Sequence, residues 1–191
     1  MSSDAFLPEG YKVPKSAGGN YTKLADGANK LRILSAPVMG WLYWNTAGKP
    51  VRSREAFAQL PSDVRYKEDK KTGESKPERP KHFWAVVVYS YADKALQIWE
   101  ITQGTVQSQL TDLIGNSDWG DPRQYDITVN RKGEGFDTEY NIQPSPAKPL
   151  NEEVAALYAG SNIALDVMFS GGNPFEGVRS DEEVAAAAGA N

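Results

Sequence analysis

The sequence contains no cysteine and a single histidine, His82. Without cysteine the chain cannot form a disulfide, a thiolate nucleophile or a Cys-based zinc or iron–sulfur site. Its apolar runs are short, as at Ala85–Tyr89, whereas a membrane helix needs roughly 20 consecutive apolar residues. The first residues, MSSDAFLPEGYKVPK, lack the charged and then apolar order of a signal peptide. We therefore expect a soluble, cytosolic protein with no membrane partner and no cofactor.

Motifs for enzymatic chemistry are also scarce. Neither GxxxxGK[ST] nor GxGxxG occurs, and one histidine leaves little for a Ser-His-Asp set. A Mg²⁺-dependent nuclease stays open as an alternative, because carboxylates gathered in the fold would bind a hard cation. Against it, three of these carboxylates fall in the outward register of predicted strands. The sequence favours a protein without catalytic residues or a metal site. The five carboxylates in question are Asp118, Asp121, Asp126, Asp137 and Glu139.

The charge is distributed unevenly along the 191 residues, whose net charge is −4. Residues 1–81 carry 15 Lys and Arg against 9 Asp and Glu, whereas residues 82–191 carry 6 against 16. A phosphate group responds to the local patch, so an acidic total does not exclude a nucleic-acid partner. The alternative is that the basic run is a solvated loop.

Composition divides the chain into three regions. Residues 1–29 are rich in Gly, Pro, Ser and Lys and predict an extended N-terminal arm. Residues 30–169 hold the periodic segments and form one domain, interrupted by a flexible charged loop at 62–81. Residues 170–191 are first Gly- and Pro-containing, then acidic and Ala-rich, and predict a flexible, weakly acidic tail.

Apolar residues that alternate with polar ones predict mostly strands. The order of strands, one helix and a further hairpin fits a mainly β protein, the five-stranded Greek-key barrel called the oligonucleotide-binding (OB) fold, whose helix lies between strands three and four. A β-sandwich is the main competitor. The predicted strands are 31–34, 38–44, 82–91, 95–102, 125–130, 136–142 and 163–168, and the predicted helices are 54–60, 105–114 and 151–158.

Three aromatic residues, Trp41, Tyr43 and Trp44, are followed closely by Lys49, Arg52 and Arg54. Aromatic rings offer flat faces to unstacked bases, and adjacent cations hold the phosphates, at roughly 1–3 kcal/mol per stacked base. The alternative is that the rings belong to the core and the cations only keep a loop soluble. Because faces alternate along a strand, at least one of the three rings must point away from the core.

Further candidates for the same groove are Lys81, Trp84 and Tyr91 on the long central strands, and Arg131 and Lys132 at the tip of the last hairpin. Phe83 and Trp84 point to opposite faces, so one is expected in the core and the other at the surface. Arg32 is a candidate as well, with an ordinary surface arginine as the alternative.

Several separated motifs occur in one order: GGNYTKLADGANKLRILSAPVMGWLYW, GKPVRSRE, KHFWAVVVYSY, QIWEITQGT and WGDPRQYDITVNRKGEGFDTEYN. In these the chain resembles the single-stranded DNA-binding proteins of tailed bacteriophages, from about Phe6 to about Pro149. The resemblance implies an OB barrel that coats single-stranded DNA during phage replication, recombination and repair, in the cytoplasm of the bacterial host and without catalysis. It places in or near the groove Trp41, Tyr43, Trp44, Lys49, Arg52, Arg54, Lys81, Trp84, Arg131 and Lys132.

The chain departs from that family in two features, the zinc subdomain and the acidic tail. The zinc subdomain of T-even members needs cysteine, which this chain lacks. The tail holds only a few acidic residues beside Arg179, so recruitment of phage replication proteins through it is weakly supported. Neighbouring copies along the strand are a further expected partner, through the basic residues of the arm. RNA binding or protein docking on the same barrel remain alternatives.

Overall fold

The computed structural model describes residues 20–69 and 71–176, and the protein there is mainly antiparallel β-sheet. The strands are β1 Gly27–Ile33, β2 Val38–Trp44, β3 Pro50–Ser53, β4 Tyr66–Glu68, β5 Ser75–Pro77, β6 Lys81–Ser90, β7 Ala95–Ile101, β8 Asp126–Lys132 and β9 Glu139–Pro144. The helices are α1 Gly104–Gly115 and α2 Glu152–Gly160, with 3₁₀ turns at Pro122–Gln124, Gly135–Asp137 and Leu165–Ser170.

The long strand β6 organises the sheet. The N-terminal half of β6 pairs with β2, its C-terminal half pairs with β1, and β7 lies along its other edge. Next to β1 come β8 and then β9, so the order β3-β2-β6-β1-β8-β9 is antiparallel throughout. The break between β1 and β2, at Ser35–Pro37, lets one bent stretch serve both halves of the sheet. With β1 and β2 taken as one bent strand, the order of elements matches the predicted OB topology.

The sheet is not closed into a full barrel, because β7 and β9 share no ladder in the described residues. Helix α1 occupies the gap. The side chain of Gln109 accepts a hydrogen bond from the main-chain N–H of Ile142 at 2.8 Å and donates to the carbonyl of Tyr140 at 2.9 Å. These two bonds pair backbone groups on the edge of β9 that a neighbouring strand would otherwise pair.

The inner face of the sheet forms the larger apolar core. Leu31, Val86, Trp99 and Ile127 are buried there, and Val106 and Leu110 of α1 close it. The spacing of Val106 and Leu110 places both on one side of the helix. The ring of Trp99 on β7 is one of the largest side chains in this core.

The outer face of β6 and β7 is also covered. Phe83, Ala85, Val87 and Ile98 are buried under the C-terminal segment 152–176, which contributes side chains such as Met168. Gly40 lies beneath the same segment, where an added Cβ would stand 2.3 Å from the Ser53 carbonyl oxygen and 2.8 Å from the ring of Phe169. The strand β6 is therefore buried on both faces.

Some predicted elements differ from the structure. Residues 54–60 form bends instead of a helix, because Phe57 turns inward to pack edge-on against Tyr43 at 5.1 Å. Residues 163–168 do not form a strand. Leu165 and Met168, spaced by three residues, are both buried in a 3₁₀ turn. The region predicted as a charged loop contains the β4–β5 hairpin, and β3 and the first residues of β1 were not predicted.

The main hairpins and helices agree with the sequence prediction. The β6–β7 and β8–β9 pairs form antiparallel hairpins, α1 lies between them, and α2 begins at Glu152 with the Asn151 side chain accepting from two N–H groups of its first turn. Parts of the predicted arm and tail, at 1–19 and 177–191, lie outside the described residues.

Candidate nucleic-acid interface

The register of β2 collects aromatic and basic side chains on the outer face of the sheet. Leu42 is the Cα partner of Arg52 on β3 and of Lys81 on β6, so all three share one face. Trp44 lies on the same face, two residues beyond Leu42. Strand pairing thus brings together residues separated by nearly forty positions in the sequence.

Three guanidinium groups on this side each lie over an aromatic ring. Such contacts combine charge with a flat surface and are typical of Arg at binding surfaces. We call this surface the arginine face. Its pairs are Arg65 over Trp44 at 4.7 Å, Arg52 over Phe83 at 5.8 Å and Arg54 over Phe169 at 4.3 Å.

Each arginine of this face also has its own carboxylate. Arg52 donates through Nε and Nη2 to Glu100 Oε2 at 2.9 and 2.7 Å, and its side chain is only 9% exposed. Arg54 pairs with Asp166, where both side chains are well exposed. Because exposed ion pairs exchange readily with solvent, Arg54 is available to a phosphate, whereas Arg52 is held in place.

The third pair is part of a small network around Glu78. This carboxylate accepts from Arg65 and lies 3.3 Å from the ammonium of Lys67 and 3.9 Å from that of Lys81. Burial works to raise the pKa of Glu78, but the hydrogen bonds from Arg65 and Lys67 hold that pKa below its usual value. Three cations thus surround one ionised carboxylate.

A cleft opens beside this network. It is lined by Leu42, Tyr43, Trp44, Glu78, Arg79, Lys81, Glu100 and Thr102 and encloses about 160 Å³. The cleft lies between the β2 end of the arginine face and β7. Its mixture of an indole ring with cationic and anionic side chains suits a polar, planar ligand.

Three further candidate rings lie on the opposite side of the sheet. Trp41 packs edge-on against His82 at 5.4 Å, and Tyr43 is buried with its hydroxyl donating to Asp63 at 2.8 Å. Burial and the hydrogen bond to Asp63 raise the pKa of Tyr43. Tyr43 is therefore left out of the candidate interface.

Trp84, the third of these rings, packs against the inner core while Phe83 is buried in the outer one. Of the two rings Phe83 is thus the core residue, while Trp84 is only half-buried, and its contact with nucleic acid stays a prediction. Trp84 lines an apolar cleft of about 330 Å³ with Ile33, Pro37, Leu110 and other residues. Its indole N–H, buried there, has no hydrogen-bond partner.

Arg32 and Tyr91 meet at the other end of β6, around Asp126, whose side chain is fully buried. Arg32 and Tyr91 donate to Asp126 Oδ1 at 3.2 and 2.9 Å, and the ammonium groups of Lys30 and Lys148 lie 3.2 and 2.7 Å from Oδ2. We call these five residues the Asp126 cluster. The register had predicted that Asp126 faces solvent. That prediction was wrong, because the surrounding side chains bury its carboxylate.

The Asp126 cluster shifts the ionisation of its members. Burial works to raise the pKa of Asp126, but the hydrogen bonds from Lys148, Tyr91, Arg32 and Lys30 hold that pKa below its usual value. Burial and the bond to Asp126 raise the pKa of Tyr91 to about 12. At neutral pH the cluster holds three cations, one carboxylate and a neutral phenol.

The remaining candidates lie apart from both groups. Lys49 is exposed in the turn between β2 and β3. Arg131 and Lys132 lie at the end of β8, where Lys132 lines a groove with Gln109 and Tyr140. The structure thus distributes the twelve candidates over the arginine face, the β2–β3 turn, the opposite side of β2 and β6, the Asp126 cluster and the β8–β9 hairpin.

No three His, Asp or Glu side chains gather to hold a metal ion within residues 20–69 and 71–176. Of the carboxylates considered for a nuclease, Asp126 is enclosed by cations and Asp121 is bound by Arg123. The same part of the chain contains no helix that is long and apolar enough to span a membrane.

Sequence reasoning missed several participants. Arg65 lies in the charged run that predicted only a loop, and Lys148 lies among three prolines after the last hairpin. Lys30 was passed over although its neighbour Arg32 was chosen. The contacts of Arg65, Lys30 and Lys148 depend on pairings between distant segments, so no local pattern identifies them.

The chain is similar to a curated protein of Escherichia phage T5 named "Probable ssDNA-binding protein". The two are 27% identical over 139 residues, which cover 64% of this chain and 54% of the relative. The chain thus spans about half the length of the curated relative that it matches. No family model matches the sequence, and no solved structure matches it. The similarity confirms the resemblance to phage single-stranded DNA-binding proteins found in the sequence motifs.

Proposed function

We propose that this protein binds and protects single-stranded DNA, largely without reading its sequence, during phage DNA replication, recombination and repair. The observation that carries the proposal is the arginine face, where three guanidinium groups lie over aromatic rings on one side of the sheet. The similarity to the phage T5 protein supports the same partner. In this role the protein acts in the cytoplasm of the host cell and catalyses no reaction.

The mechanism that we propose combines stacking with phosphate contacts. The guanidinium plane of Arg65, fixed over Trp44, offers a flat cationic surface on which an unstacked base can lie. Exposed Lys49 and Lys81, with Arg54, supply the charge that holds the phosphates. Because none of these contacts depends on base edges, binding tolerates any sequence and weakens with salt.

Titration with oligo(dT) at two salt concentrations, followed by tryptophan fluorescence, tests this proposal. We expect quenching by the single strand that weakens at higher salt, and little response to a duplex of equal length. Trp44→Phe should remove a large part of the quenching, whereas the control Trp119→Phe should not, because Trp119 packs against the inner core next to Tyr125. Absence of both quenching and a retained complex at low salt would refute single-stranded DNA binding.

Two further assays test the rival functions, RNA binding and nuclease activity. An oligo(rU) arm reports RNA binding, since stacking and phosphate contacts do not distinguish the sugars by themselves. Incubation of end-labelled DNA with Mg²⁺ reports nuclease activity, and we expect the DNA to stay intact. Equal affinity for RNA would broaden the proposed partner to single strands of either kind.

A further inference from the structure

The Asp126 cluster contains three cations for a single carboxylate. Arg32 is buried, with Nε and Nη2 donating to the carbonyls of Arg123 and Lys148 at 3.1 and 2.9 Å and Nη1 bonded to Asp126. One carboxylate is neutralised by this single buried arginine. Lys30 and Lys148 add two charges for which the cluster holds no further carboxylate.

These two lysines are presented to solvent as a pair. Their side chains are 46% and 49% exposed, although both ammonium groups bind the same oxygen of Asp126. The distances of 3.2 and 2.7 Å place the two nitrogens within about 6 Å of each other. Both also lie near the ring of Tyr91, at 4.8 and 6.0 Å from its centre. Two ammonium groups at this spacing can bind one phosphate together.

A groove lies beside the pair. Lys148 lines it together with Arg32, Arg123, Gln124 and the segment 147–150, and it encloses about 470 Å³. Asp121 holds Arg123 through three contacts of 2.6–3.0 Å. The groove therefore offers an anion both buried and exposed cations.

The position of the cluster relates it to the arginine face. Lys81 begins β6 and Tyr91 follows its last residue, so the two are ten residues apart, or about 33 Å along an extended strand. The apolar middle of the same face lies under the segment 152–176. A polyanion on this side of the molecule thus meets cations at both ends and none at the covered centre between them.

We infer that Lys30 and Lys148 form a second phosphate-binding site, which takes a backbone phosphodiester of the same nucleic-acid strand that contacts the arginine face. The inference rests on the proposed function. Asp126 fixes the two ammonium groups from below, and the Tyr91 ring limits their movement. The site lengthens the bound segment of the strand without adding any base reading.

The test uses the full chain with Lys30→Gln and Lys148→Gln combined, and dT16 and dT4 as probes. A strand of 4 nucleotides, even stretched to about twice the 3.4 Å per nucleotide of a duplex strand, is shorter than about 33 Å and cannot join both ends of β6, whereas 16 nucleotides suffice. We expect the affinity for dT16 to fall roughly tenfold at low salt. The slope of log K against log salt should fall by about 0.7, the value for one phosphate contact on a single strand, and the affinity for dT4 should stay unchanged.

Matched variants separate charge from structure. Lys30→Arg with Lys148→Arg should keep the salt slope, and Lys23→Gln with Lys71→Gln removes two exposed charges elsewhere and should leave the preference for dT16 unchanged. If the double glutamine variant does not fold, Lys148→Gln alone leaves Lys30, Arg32 and Tyr91 on Asp126. It should lower the affinity for dT16 without changing the affinity for dT4.

Three outcomes overturn the inference. A folded double glutamine variant with an unchanged salt slope places the DNA elsewhere while leaving the proposed function intact. Inorganic phosphate that perturbs the NMR signals of Tyr91 without any difference between dT16 and dT4 assigns the site to small phosphates. Wild-type protein that does not bind dT16 at all refutes the proposed function itself.

Discussion

The two ends of the outer face of β6 carry similar residues but balance their charges differently. On the arginine face each guanidinium has its own carboxylate, and one of these, Glu78, also meets Lys67 and Lys81. In the Asp126 cluster one buried carboxylate serves three cations. The comparison teaches that the number of basic residues does not measure the attraction for a polyanion. What counts is the charge left over after each cation has met its partner, and how exposed that partner is.

Removal of the buried carboxylate should produce the largest effect. Asp126→Asn leaves the buried guanidinium of Arg32 without a counter-charge, which costs about 3–5 kcal/mol when a buried pair loses one partner. Urea unfolding of the variant measures the loss. Thr128→Val, on the same face of the same strand, is the control for a change of polarity alone. A loss below 1 kcal/mol would mean that solvent reaches Arg32 and that the cluster is not a closed unit.

Glu100→Gln tests the arginine face. It should lower the free energy of unfolding by less, about 1–3 kcal/mol, because the amide still accepts from Arg52 but no longer carries charge. The same change leaves a positive charge unopposed on the arginine face, so the affinity for oligo(dT) should rise. Unfolding curves and the DNA titration are measured on one preparation. A rise in affinity without loss of stability would show that Glu100 acts on DNA binding alone.

The Asp126 cluster should also make stability depend on pH. Because the pKa of Asp126 is lower in the folded chain than in the unfolded one, its contribution is complete above the unfolded pKa. The contribution is lost as the pH falls through the unfolded and then the folded pKa. Urea midpoints measured from pH 6 down to pH 3 should therefore fall more steeply for wild type than for Asp126→Asn. Parallel curves would mean that the carboxylate ionises as freely as in an unfolded chain.

Asp166→Asn should have the smallest effect on stability, within about 1 kcal/mol, because both members of its pair with Arg54 are exposed. Its effect on binding should be visible all the same, since Arg54 is then free to meet a phosphate. We expect a modest gain in affinity for oligo(dT), absent when Arg54→Gln is present as well. An equal gain in both backgrounds would show that Asp166 acts through general repulsion and not through Arg54.

The sequence allowed the strands around β6 to be predicted because apolar and polar residues alternate there or run together without interruption. The run from His82 to Tyr91 also held a signal that was not used: a strand with so little polar alternation is typical of burial on both faces. Phe83 is accordingly buried beneath the C-terminal segment. Within that segment, residues 163–168 were predicted to form a last strand, because a short apolar run does not distinguish a strand from a helical turn.

The candidate site was only partly predictable for a related reason. Trp44, Arg54 and Lys81 stand in local patterns that indicate binding, and the structure places them on one face of the sheet. The environments of Arg32 and Lys148 are set by the pairing of β1 with β8 and by the path of the chain after β9. Interactions between segments over a hundred residues apart leave no periodic trace in one sequence.

The outer edge of β7 is paired within the molecule, which matters when many copies of the protein lie close together. There the N–H of Thr22 donates to the carbonyl of Ile98, and the N–H of Ile98 donates to the carbonyl of Asn20, both at 2.8 Å. An unpaired edge is a template on which another chain can add a strand and begin an aggregate. A protein concentrated along a nucleic acid, as proposed here, meets its own copies at close range. By pairing the exposed edge at Ile98 within the same molecule, the segment 20–22 allows such crowding without polymerisation through β7.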